Sequence, residues 1–71
     1  MAEVNGPQAA EILSVSIQTI HNKVDGGVLP AREQGTGQRR YIYIDIDNLR
    51  SFAAQYGYRF DEATAKQYTT K

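Results

Sequence analysis

Gln18, Thr19, Asn22 and Lys23 are four polar side chains spaced to share one side of a helix. Together they carry the groups that read base edges. Asn and Gln amides pair bidentately with adenine, a Lys ammonium donates to guanine, and the Thr methyl meets a thymine methyl. Ser16 precedes this set and His21 borders it. A second set is basic and lies further along, with Arg32, Gln38, Arg39 and Arg40 around the stretch Gly35-Thr36-Gly37. Arginines in a glycine-containing turn can reach phosphate or enter a narrow minor groove. The plainer alternatives are a solvated helix face for the first set and a charged, solvated turn for the second.

Other chemistry finds little support. No nucleophile has a paired base, and so small a domain offers little room for a water-excluding pocket. These residues predict no enzyme and no cofactor. Gly35-Thr36-Gly37 lacks the Lys-Ser/Thr ending of a phosphate-cradling loop, and no helix follows it. His21 is the single histidine in a chain without cysteine, so no zinc ligand set is available. It is left to contact a phosphate or to flank the core. Asp45 and Asp47 suit capping of a helix N-terminus better than an acid pair, with Asp47 the expected cap. Tyr41 and Tyr43 can stack on bases, but packing against the third helix or the C-terminal segment is the favoured use.

The elements that must position these groups follow from caps and periodicity. Asn5-Gly6-Pro7-Gln8 opens a first helix. Asn is a strong N-cap, Gln8 lies three residues on as in a capping box, and Pro7 sits in the first turn where no donor is missed. After the break at Ser14-Val15-Ser16, with Ser16 as N-cap, a second helix runs from Ile17 to Asp25. It stops at Gly26-Gly27, where glycine can turn left-handed. At about 100° per residue, Ile17, Ile20 and Val24 fall in one arc. Gln18, Thr19, Asn22 and Lys23 fall in the opposite arc, read as a polar strip without an acid.

Pro30 prevents the helix resuming. Residues 31–34 and 41–44 read as a β-hairpin, with Ile42 and Ile44 on its core face and the tyrosines on the other. Leu49, Phe52, Ala53 and Tyr56 give a third helix ended by Gly57. Tyr58 and Phe60 can fold back on the core, and Asp61 to Tyr68 can form a short helix. The expected division is a domain over 1–57 and an extension over 58–71.

Eight cationic and eight acidic side chains cancel over the 71 residues. The distribution matters more. Up to residue 30, Glu3, Glu11 and Asp25 face Lys23 alone, whereas in 31–44 Arg32, Arg39 and Arg40 face only Glu33. Weak overall charge predicts modest non-specific affinity for nucleic acid, because that affinity comes from neutralising phosphates. A chain of this length buries only about 60% of its unfolded surface. No apolar run approaches the roughly 18 residues that span a bilayer, and no signal peptide is visible. A cytoplasmic chain, nucleoid-associated when bound, is the expectation.

Helix, tight turn, helix, basic hairpin, helix is the order of a winged helix-turn-helix, mainly α with a small β-hairpin. Pro7-Gln8-Ala9-Ala10-Glu11-Ile12-Leu13, Val15-Ser16-Ile17-Gln18-Thr19-Ile20 and Gly27-Val28-Leu29-Pro30-Ala31 resemble the MerR-like and excisionase-type DNA-binding domains. Arg39-Arg40-Tyr41 and Asp47-Asn48-Leu49 fit the same pattern, so the resemblance covers about residues 4 to 56. Glu3-Val4-Asn5 and Ser16 to Ile20 also look like the DNA-binding domain of phage terminase small subunits. The resemblance implies a second helix in the major groove, a wing on the adjacent minor groove or backbone, and binding as a homodimer or cooperative array. Ser14 stands where the family usually has glycine, His21 where an aromatic is frequent, Asn22 where a basic residue is common and Lys23 where an apolar one is common.

The function expected is therefore sequence-specific binding of double-stranded DNA, in transcription control, excision, or phage or plasmid DNA handling. Ser16, Gln18, Thr19, His21, Asn22, Lys23, Arg32, Gln38, Arg39 and Arg40 are its contacts. Further domains beyond Lys71 are compatible with this. The alternative is a winged-helix adaptor that docks proteins, which should expose apolar anchors beside the polar strip.

Overall fold

The computed structural model describes residues 2–35 and 41–69. Among them the chain is mainly helical, with four helices and a small antiparallel sheet: β1 (Glu3–Asn5), α1 (Gly6–Leu13), α2 (Ile17–Asp25), β2 (Arg32–Gln34), β3 (Tyr41–Asp45), α3 (Ile46–Tyr56) and α4 (Glu62–Thr69). The sheet runs β1-β3-β2. The expected two-stranded hairpin is thus joined by a third strand. Val4 pairs with Ile44 and is buried between Glu3 and Asn5, a three-residue alternation too short to mark a strand before its partner is known.

Local chemistry explains the helix starts. Asn5 Oδ1 accepts from the Gln8 N–H at 2.8 Å and Gln8 Oε1 accepts from the Asn5 N–H at 3.0 Å, closing the capping box of α1. Ser16 Oγ accepts from the Thr19 N–H at 3.1 Å and caps α2. Ser14 takes the left-handed turn between them at φ 57°, without the glycine usual there, and its N–H and that of Val15 bond back to α1 carbonyls. Gly27, at φ 75°, follows α2.

α3 begins earlier than expected. Asp45, not Asp47, is its cap, accepting from the Asp47 N–H at 2.9 Å. The reason lies in the sheet: Asp45 pairs with Glu3, and the Ile46 N–H bonds to the Ala2 carbonyl at 3.0 Å, so the chain passes from strand to helix without a linker.

Ile12, Ile20, Leu29, Ile44, Leu49 and Val4 are the largest fully buried side chains. The core continues past Gly57, because Tyr58, Phe60, Ala65 and Tyr68 all pack on it. The Asp61 N–H donates to the Ile12 carbonyl at 3.0 Å, and the Tyr68 hydroxyl donates to Glu11. That hydrogen bond to the carboxylate, reinforced by desolvation and by the carboxylate's charge, holds the Tyr68 phenol above its ordinary range. No helix among the described residues is long and apolar enough to cross a membrane.

Candidate functional site

α2 packs against α1 through Ile20, fully buried, and Val24, which borders the core. Ile17 was expected on that side, but it begins the helix at the rim of the apolar arc and is 47% exposed. Opposite lie Gln18 and Asn22, both exposed, with Gln18 Nε2 donating to Asn22 Oδ1 at 2.9 Å. Ser16 and Thr19 share a hydroxyl–hydroxyl bond of 2.8 Å at the cap. Lys23 is half-buried, and its carbonyl accepts from the N–H groups of Val28 and Leu29.

The strip is not free of acid. Asp25 is exposed and lies seven residues beyond Gln18, about 20° away around the helix.

His21 flanks the core rather than standing clear of it. Its Nε2 lies 3.6 Å from where a Cβ on Gly6 would stand. With Ile17, Tyr41, Ile42, Asn5, Gly6 and Pro7 it lines a groove of about 300 Å³ beside the polar face. Tyr41 is 47% exposed there. The tyrosines do not pack under α3 or the C-terminal segment: Ile42 and Ile44 occupy the inner face of β3, so alternation sends Tyr41 and Tyr43 outward.

Arg32 belongs to a different surface. On the outer face of the sheet its Nη2 meets Glu3 Oε1 at 3.0 Å, its Nη1 meets Gln34 Oε1 at 3.2 Å, and its guanidinium lies 4.7 Å over the Tyr43 ring. Hydrogen bonding to Glu3, and the charge of Glu3, raise the Arg32 pKa above its already high ordinary value. The pair is therefore neutral as a unit, and none of these partners lies on α2. Sequence reasoning did not find Glu3, because 29 residues separate it from Arg32. Gln38, Arg39 and Arg40 lie outside the described residues.

Comparison with known protein families, with curated proteins and with solved structures gives no match for this chain. Its site must be judged on its own chemistry. Among the described residues no three His, Asp or Glu side chains gather to hold a metal. What the arrangement offers is an exposed, hydrogen-bonding helix face with two amides at its centre and an acid at its end, beside a partly apolar groove.

Proposed function

We propose that the chain binds double-stranded DNA sequence-specifically as a winged helix-turn-helix module, with α2 in the major groove and the β2–β3 hairpin on the adjacent minor groove or backbone. The observation that carries this reading is the exposed amide pair Gln18–Asn22 at the centre of the face of α2 opposite Ile20. Amides are the side chains suited to adenine edges, and a capped helix standing clear of the core on one side suits entry into a groove. Transcription control, excision, and phage or plasmid DNA handling all use such a module. It acts by binding, not catalysis, and as a homodimer or cooperative array, because zero net charge and a neutralised Arg32 leave little phosphate attraction for one copy.

Titration with random duplexes and with duplexes selected from a random pool tests this at low and moderate salt. A clear preference for the selected duplex is the expected result. Asn22→Ala or Gln18→Ala then costs about 1–3 kcal/mol on the selected site and less on random DNA. Binding that stays undetectable at low salt, for both the free chain and a tethered dimer, sinks the proposal.

A protein-docking adaptor is the second reading, and the groove favours it. Ile17 and Tyr41 supply exposed apolar anchors beside α2, the feature such an adaptor needs. The two readings separate on the same titration, with Ile17→Ala neutral for duplex binding if the amide face is the contact.

A further inference from the structure

We infer that Gln18 and Asn22 work as one reading unit directed at adenine, with Gln18 the amide that meets the base edge and Asn22 the positioning residue that holds it. This rests on the DNA-binding reading above and deepens it to a base class and a division of roles.

Neither side chain is needed by the core, since both are exposed. Around them the hydroxyls of α2 are committed to its cap, and Asp25, the acid on the same face, can only accept hydrogen bonds. Ser16 Oγ accepts from the Thr19 N–H and shares a bond with Thr19 Oγ1, so both hydroxyls serve the helix cap. His21 lies toward Gly6 and Ile42, and Lys23 is half-buried on the other flank. The amide pair is what remains at the centre of the face.

A primary amide carries two N–H donors and a carbonyl acceptor. One Gln18 N–H goes to Asn22 Oδ1 at 2.9 Å. Its carbonyl and second N–H remain, and these are the acceptor and donor that adenine N6 and N7 require. Gln18 is the second residue of α2, and residues at the N-terminal end of a groove-bound helix are those that meet base edges. Its long side chain reaches further than that of Asn22 but loses more rotamer freedom when fixed. Asn22, one turn on, fixes part of that freedom before any duplex arrives. Removing either member therefore weakens the same contact.

The experiment is selection of bound duplexes by the chain, free and as a tethered dimer. Titration of the selected duplex and its single-base variants follows, with Gln18→Ala, Asn22→Ala, the double variant and Gln18→Glu. Each single alanine variant is expected to lose roughly ten- to hundredfold on the selected duplex. Both should relax the same A·T position, and the double variant should match the weaker single one within about twofold. Gln18→Glu should shift the preference at that position toward C·G, because a carboxylate accepts from cytosine N4. Unchanged helical circular dichroism checks that the variants fold. Losses that multiply, or that fall at two different base pairs, overturn the unit and leave DNA binding standing. A shared position other than A·T overturns the adenine assignment. Enrichment of no duplex at all overturns the DNA reading itself.

Discussion

The two polar surfaces of this protein are built in opposite ways. On α2 the groups at the centre of the face are neutral amides and hydroxyls, tied to neighbours three and four residues away (Ser16 to Thr19, Gln18 to Asn22), with Asp25 an acid at its end. On the sheet and α3 they are charged, and their ties run long. Arg32 holds Glu3 across 29 residues, and Arg50 holds Glu62 across 12 through two bonds of 3.0 and 3.1 Å. These two ion pairs thus tie distant elements together, while the amide pair of α2 joins residues of one helix only. A surface of that kind discriminates by hydrogen-bond pattern more than it attracts by field.

The largest expected effect tests whether the sheet side is structural and the α2 face is not. Ile44→Ala empties a fully buried position beneath β1 and should cost about 2–5 kcal/mol in urea unfolding, against under about 0.5 for Gln18→Ala. Equal losses would make the α2 face part of the scaffold. Next comes the helix start that presents the amides. Ser16→Ala removes the cap and should lower stability by about 1 kcal/mol, while Ser16→Asp retains most of it. A Ser16→Ala variant as stable as the parent would mean the cap bond contributes nothing in solution.

A smaller effect concerns charge. If the proposed DNA binding holds, Arg32→Ala should leave the salt dependence of duplex affinity unchanged, because Glu3 already neutralises that guanidinium. Glu3→Gln should steepen the slope by about one. A slope that flattens in Arg32→Ala would show that the guanidinium leaves Glu3 for phosphate. The smallest effect is on acid stability. The Thr64 N–H and hydroxyl hold the Asp61 carboxyl below its ordinary range, and hydrogen bonding from Arg50 does the same for Glu62. A carboxyl depressed in the folded state adds stability above its unfolded pKa and loses it as the pH falls through the folded value. The unfolding midpoint should therefore decline below about pH 4, and Arg50→Ala should flatten that decline slightly. An acid limb identical in Arg50→Ala would show the α3–α4 ion pair to be without effect.

Much of the local architecture was legible in the residues. The capping box of Asn5 and Gln8, the Ser16 cap, the glycine stops at Gly27 and Gly57, and the inward isoleucines of β3 all lie within a few positions of their partners. So did the amide face of α2, since Gln18 and Asn22 are one turn apart. Ile17 and Asp25 were misjudged at the margins of that same helix, where a periodic arc says which side a residue occupies but not how far the neighbouring element reaches. The third strand and the shift of the α3 cap to Asp45 both depended on β1 lying beside β3.

The amino-acid sequence by itself determined where the helices start and stop and which amides sit together on α2, because caps and i to i+4 contacts act within a single turn. Only the tertiary structure decided what the charges do. Glu3 neutralises Arg32, Arg50 joins α3 to α4, and Glu11 accepts a hydrogen bond from the Tyr68 hydroxyl across 57 residues. Those pairings form between groups that meet only after the hydrophobic core has drawn distant segments into contact, and no local pattern records them.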